Sequence, residues 1–215
     1  ANDVDGGDAL ELSAPTLPSW LDFSDNGDGT GILSGTPLND QVGDHEVELL
    51  VTDIAGATGI QSFTITVANT NDAPIFTSAG DTTATEDSLY SYSIISSDVD
   101  EGDELFITAS TLPGWLQLVD NVDGTGTLEG IPENPDVGDH AVVLRVTDGS
   151  GAYAIQSFTI TVANTNDAPV FTSEADTTAV EDEVYSYLVT ANDVDGGDAL
   201  ELSAPTLPSW LDFSD

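Results

Sequence analysis

The sequence predicts an all-β chain: tandem seven-stranded Greek-key β-sandwiches arranged as an elongated array. Three observations carry that prediction. Trp20, Trp115 and Trp210 stand 95 residues apart, the mark of an internal repeat. Within each period apolar residues alternate with polar ones, as Phe158, Ile160 and Val162 do with Thr159 and Thr161, which is the period of a strand and not of a helix. Gly, Pro, Asn and Asp clusters interrupt the chain about every ten residues, leaving room for the seven short strands of a Greek-key sandwich.

The repeat is close enough to locate its boundaries. Ile60 to Pro74 returns unchanged as Ile155 to Pro169, and Ala1 to Asp25 returns unchanged as Ala191 to Asp215. One complete repeat then spans 72–166. Residues 1–71 are the C-terminal part of a repeat whose start is missing, and 167–215 are the N-terminal part of a following one whose end is missing. Either the chain is an arbitrary window on a longer array, which is the favoured reading, or neighbouring chains complete each other head to tail.

The elements of the complete repeat follow in order. A first strand, roughly 75–85, stops at Glu86-Asp87. The second, 89–96, carries the Tyr90 to Ile94 alternation and ends in the Asp98-Val-Asp-Glu-Gly-Asp103 loop. Strands 105–110 and 115–119 flank the Leu-Pro-Gly-Trp turn at 112–115, and 125–131 follows the Asp120 to Gly126 turn. The sixth, 140–148, contains Val142 to Val146 and ends at Asp148-Gly149; the seventh, 154–163, carries the Phe158-Ile160-Val162 stripe. Beta-branched and aromatic residues dominate these stretches, as a half-buried pleated surface requires.

Composition excludes several functions. Forty acidic residues face one basic residue, a formal net charge of −39, so phosphate backbones and anionic membrane surfaces are not partners. No apolar run approaches the length of a membrane span. Yet hydrophobic residues reach 39%, with three Trp, five Tyr and seven Phe, enough to build cores and to exclude a disordered acidic tail. With no Cys and no Met, neither disulfides nor thiol chemistry is available. No export signal is visible in a chain that begins in mid-pattern, which says nothing about export.

The informative acids are those the fold would gather. Strands of a sandwich alternate in direction, so alternate loops share an end. One end collects the linker residues Asn69, Asn71 and Asp72, the loop residues Asp98, Asp100 and Asp103, and Asp148. The other end holds Glu86 and Asp87 beside the exit through Asn164, Asn166 and Asp167. In an array these two ends meet, so Glu86 and the linker should face Asp193, Asp195 and Asp198 of the following segment. The same set recurs one period earlier as Asp3, Asp5, Asp8 and Asp53. Carboxylates mixed with amide oxygens are the donors a hard cation needs, and Ca2+ accepts six to eight of them in irregular geometry where Mg2+ demands a small octahedron.

These residues resemble a known family. Asn71-Asp-Ala-Pro74, Glu86 before a strand, the Asp98-x-Asp100-x-x-Asp103 loop and Asp148 resemble the calcium motifs of cadherin repeats. Leu112 to Leu116, Glu129 to Pro132, Val137 to His140 and Val146 to Ala152 are more similar still to bacterial dystroglycan-type cadherin-like repeats. The resemblance covers essentially the whole chain. It implies cadherin/immunoglobulin-like sandwiches in large extracellular or cell-surface proteins, often adhesins, with Ca2+ at the junctions between neighbouring repeats and carbohydrate binding in some members. The chain lacks a counterpart of the cadherin Asp-Arg-Glu ligand motif, which leaves the number of ions per junction open.

Plainer readings stand beside these. The acidic loops can be solvated turns, since Asp and Asn hydrogen-bond their own backbone. Asp25 to Gly31 and Asp120 to Gly126 mimic an EF-hand loop but lack its twelfth-position Glu and flanking helices, so a hairpin turn is the better reading. The three Trp are either sugar platforms or core residues, and core is preferred. His45 and His140 have no catalytic companions. Arg145 is expected to be an exposed partner of nearby carboxylates. Acids that recur in every repeat do not make a glycosidase cleft, so no enzyme is expected. A calcium-rigidified extender is the leading function; a polysaccharide-binding or self-associating module and a head-to-tail filament subunit are the alternatives.

Overall fold

The computed structural model describes residues 9–100 and 102–215. The chain divides into two compact units, one comprising residues 1–74, 98–103 and 149–152, the other 75–97, 104–148 and 153–215. Almost all of the regular structure is β, and no helix among the described residues is long and apolar enough to cross a membrane.

In the first unit β1 (Glu11–Thr16), β4 (Gly43–Thr52) and β5 (Thr58–Val67) form an antiparallel sheet in the order β1-β4-β5, and β2 (Leu21–Asp25) pairs with β3 (Gly31–Gly35) as a hairpin. The turn between β2 and β3 is built by its own side chains. Asp25 Oδ1 accepts the Gly27 N–H at 2.9 Å, Asp28 Oδ1 accepts the Thr30 N–H at 3.0 Å, and the Asn26 N–H closes on the Thr30 carbonyl at 2.9 Å. The hairpin reading of this stretch therefore holds. Donation from Gly27 and Leu12 keeps the Asp25 carboxyl below its ordinary range.

The second unit contains the complete sandwich. One sheet has the order β10 (Leu116–Asp120), β11 (Thr125–Gly130), β8 (Tyr90–Ser97), β6 (Ile75–Phe76). The other has the order β7 (Thr83–Thr85), β13 (Tyr153–Ala163), β12 (Gly138–Thr147), β9 (Phe106–Thr111). All pairings are antiparallel except β7 with β13. The chain stays within a sheet at β10–β11 and β12–β13 but crosses from one sheet to the other at β8–β9, β9–β10 and β11–β12, so β8 pairs with β11 and β9 with β12, as in a Greek key.

The expected single strand at 75–85 is two pieces in different sheets. Beta6 pairs with β8, whereas β7 pairs with β13. The crossing is made beside Gly80, where a Cβ would lie 2.6 Å from the ring of Phe158. The chain can pass between the sheets there only because no side chain intervenes.

Alternation along β8 puts Tyr90, Tyr92 and Ile94 inside, against Leu128 of β11 and Val142, Leu144, Val146 and Ile160 of the facing sheet, the last five at 0% exposure. Trp115 packs on this cluster edge-on to Tyr90, with ring centroids 5.8 Å apart, so the core reading of that Trp holds. The buried hydroxyls are satisfied: Tyr90 donates to the Asp81 carbonyl at 2.7 Å and Tyr92 to Gln156 Oε1 at 2.9 Å. Burial, with the Asp81 charge adding to it, raises the Tyr90 pKa far above its usual value.

Arg145 departs from expectation. Its guanidinium sits 4.0 Å from the centroid of the Tyr153 ring, across the β12–β13 pair two positions from register, and no carboxylate among the described residues pairs with it. A weakly hydrated planar cation gains more from a neighbouring aromatic face than from mobile surface carboxylates.

The segment 167–215 forms only the two-residue pair β14 (Val170–Phe171) with β15 (Ala191–Asn192). In this segment Phe171 and Trp210 are exposed, at 70% and 64%, so the core reading that holds for Trp115 does not hold for Trp210.

Candidate metal centre

The second unit brings two groups of carboxylates together. Glu86, immediately after β7, continues the ladder by donating its N–H to the Ala163 carbonyl at 2.9 Å, and its Oε2 accepts the Thr165 N–H at 3.0 Å. The side chain is thereby drawn under the linker to 1% exposure, and its second oxygen, Oε1, has no hydrogen-bond partner. Asp87 follows with φ 59° and donates its N–H to the Pro132 carbonyl at 2.9 Å. Carboxylate oxygens of Glu86, Asp87 and Asp167 all lie within 4.8 Å of one another.

The second group is Asp193, Asp195 and Asp198, again with one oxygen each inside 4.8 Å. Its shape is set by the loop: the Asp195 N–H donates to Asp193 Oδ1 at 2.9 Å. Asp195 is 6% exposed, and both its oxygens are engaged. Oδ2 accepts the Asp167 N–H at 2.7 Å, while Oδ1 accepts side-chain amides from Asn164 at 3.0 Å and Asn134 at 3.2 Å. Asp167 thus belongs to one triad and holds the other. Asn166 instead turns its amide onto the neighbouring Asp167 carbonyl at 2.6 Å.

The first unit repeats the arrangement. Asp98, Asp100 and Asp103 form a triad within 4.8 Å, the Asp100 N–H donates to Asp98 Oδ1 at 3.0 Å, and the Asp72 N–H donates to Asp100 Oδ2 at 2.6 Å. Asp100 is 6% exposed and its Oδ1 has no partner. The Asn71 amide donates to the Asp72 carbonyl at 2.6 Å, as Asn166 does to Asp167. Asn69 is exposed.

The remaining expected ligands divide. Asp148, directly after β12, is 3% exposed. Asp53, its copy, spends its Oδ1 on the Ala57 N–H at 2.7 Å and closes a local turn. Asp3, Asp5 and Asp8 lie outside the described residues. Two residues that sequence reasoning missed enter the centres: Asn134, already described, and Asn39, whose amide donates to Asp72 Oδ2 at 2.7 Å. They stand one period apart in otherwise unremarkable turns; the shared spacing was the available signal.

The donor set fits a divalent cation. Three carboxylates at about 5 Å repel one another by roughly 3 kcal/mol per pair at an effective dielectric near 20. A carboxylate oxygen as deeply buried as Glu86 Oε1 carries a desolvation cost that no protein donor offsets. The chain contains one basic residue, and its guanidinium lies on Tyr153. Oxygen-only donors in an irregular cluster match Ca2+ better than Mg2+.

Two sheets in Greek-key order, a first strand shared between them and acidic loops at the strand ends define an immunoglobulin-like, cadherin-like β-sandwich. The chain belongs to the He_PIG family, described as "Putative Ig domain", whose model matches residues 1–68 and 73–163. Among solved structures it is similar to the extracellular cadherin domains 1–5 of protocadherin gamma B2, with a TM-score of 0.62 and 17% identity over 88% of this chain and 39% of that one. The extracellular domain of protocadherin gamma B4 gives a TM-score of 0.59 and 20% identity over 88% and 32%. An endo-fucoidan hydrolase of glycoside hydrolase family 107 is 26% identical over 74% of this chain and 24% of that one, with a TM-score of 0.40, too low to bear on function. The chain therefore spans well under half the length of these structures. No curated protein matches the sequence.

Proposed function

We propose that this chain is a calcium-rigidified structural repeat, an extender segment of a bacterial adhesin-type protein at the cell surface or outside the cell. In this reading residues 72–166 are one complete repeat, and its partners are the neighbouring repeats of the same array. The observation that carries the proposal is Glu86: a carboxylate 1% exposed, with Oε1 unpartnered, inside 4.8 Å of oxygens from Asp87 and Asp167. The likeness to extracellular cadherin domains supports the setting.

The chain's own residues do most of what the function needs. Thr165 and Ala163 fix Glu86 under the linker, and the Asp167 N–H joins the linker to Asp195 of the next segment. A bound Ca2+ would supply the positive charge these carboxylates lack. The large net negative charge keeps such segments soluble and apart.

Calcium titration followed by chelation tests the reading. Binding is expected with a Kd on the order of 10⁻⁴ to 10⁻³ M, as in extracellular modules, with a rise in Tm and a larger maximum dimension by small-angle scattering. A chain with the same melting curve and dimensions in millimolar calcium and in chelator would overturn it.

A further inference from the structure

The turn between β11 and β12 supplies no carboxylate to either triad of the second unit, yet one of its side chains reaches Asp195. Residues Asn134–Asp136 form a single 3-10 turn. The Asp136 side chain caps it, with Oδ2 accepting the Glu133 N–H at 3.0 Å. His140 pins it from the other side, with Nε2 2.6 Å from the Asp136 carbonyl. A carbonyl only accepts, so Nε2 carries the hydrogen. The imidazole in turn rests edge-on against Trp115, with centroids 5.9 Å apart. The Trp and the Gly-Asp-His motif, which recur in the repeat, thus brace one short turn.

What that turn presents is Asn134, whose amide donates to Asp195 Oδ1 at 3.2 Å. One period earlier the same construction recurs: Gln41 Oε1 accepts the Leu38 N–H at 2.8 Å, His45 Nε2 lies 2.6 Å from the Gln41 carbonyl, and Trp20 sits edge-on to His45 at 5.7 Å. There Asn39 donates to Asp72 Oδ2 at 2.7 Å. The acceptors are the two ends of one linkage, since the residue at the Asp72 position donates its N–H to the residue at the Asp100 position in both copies.

We infer that Asn134 is a positioning residue, an amide latch that holds Asp195 against the linker before any cation arrives. Together with the Asn164 amide and the Asp167 N–H it surrounds a buried carboxylate with three donors, so this part of the centre is set without metal while Glu86 Oε1 is left unmet. A preset Asp195 lowers the ordering cost of binding. The amide does this where a further carboxylate would repel Asp195. The inference deepens the calcium reading and rests on it for its second half alone.

The test compares Asn134→Ala with the isosteric Asn134→Asp in the full chain, by amide exchange at Asp167 and by calcium titration. In chelator, losing a donor to a charged acceptor should speed Asp167 exchange about tenfold to a hundredfold in the Ala variant. The Asp variant, with two carboxylates facing each other, should exchange faster still. In saturating calcium the order should reverse, because the new carboxylate becomes a ligand and the alanine does not. Exchange at wild-type rates in both variants under chelator would overturn the latch. An equal loss in both variants, unaltered by calcium, would show an ordinary turn residue and also overturn it. Wild-type chain that fails to bind calcium would defeat the cation reading alone, since the chelator ordering tests the latch by itself.

Discussion

The backbone N–H of Asp167 donates to Oδ2 of Asp195 at 2.7 Å, and the same bond joins Asp72 to Asp100 at 2.6 Å one period earlier. A linker residue that contributes its own carboxylate to one acidic triad is therefore the donor that seats a carboxylate of the next. The two triads of the second unit are mechanically one object, and perturbing one should be felt at the other.

Glu86→Gln separates charge from shape. The substitution keeps the acceptor for the Thr165 N–H but removes a buried charge whose Oε1 is unmatched. In chelator the variant should melt no lower than wild type, because an uncompensated buried charge costs more than its neutral isostere. Its calcium affinity should fall at least tenfold, about 1.4 kcal/mol. Paired melting curves and calorimetric titrations check both signs, and a variant that loses stability in chelator while keeping its affinity would refute the assignment.

Leu144 and Leu49 occupy the same position in copies of one strand, but Leu144 is fully buried while Leu49 is half-buried. Leu144→Ala should therefore cost about 2–5 kcal/mol, the range for a closed core, and Leu49→Ala less than half of that. Urea denaturation, with Trp115 and Trp20 retained singly as reporters, would measure each loss separately.

At Gly80 any Cβ meets the Phe158 ring at 2.6 Å. Gly80→Ala should destabilise the sandwich by about 1–3 kcal/mol, as overpacking does. Combining it with Phe158→Leu should recover part of that loss, a non-additivity that a double-mutant cycle in denaturant would reveal.

The β10–β11 turn predicts an acid limb. The Thr125 hydroxyl, then its N–H, holds the Asp123 carboxyl below its ordinary 3.8. A carboxyl depressed in the folded state contributes stability that is present above its unfolded pKa, near 4, and is lost as pH falls through the lower folded value. Exchange of the Thr125 amide should accelerate below about pH 4, and Asp123→Asn should flatten that dependence. A Thr125 amide indifferent to pH between 5 and 2.5 would contradict it.

Much of this protein was legible in its residues alone. The 95-residue period, the two-residue alternation, the hairpin turns at Asp25 and Asp120 and the gathering of Asp98, Asp100 and Asp103 all follow from local patterns, because strand faces and turn chemistry are decided within a few residues. Tertiary structure decided the rest. Nothing local splits the first strand at Gly80, a break imposed by the ring of Phe158 arriving from the far end of the repeat. Arg145 chose Tyr153 over a carboxylate because strand pairing put that ring beside it. Asn134 and Asn39 looked like turn residues, and only the approach of segments more than thirty residues away made them donors, to the buried Asp195 and the exposed Asp72. Glu86 was recognisable as an acid before a strand. That one of its oxygens would be shut away from both water and protein depends on how Ala163 and Thr165 close over it, because burial is a property of long-range packing that no stretch of sequence carries by itself.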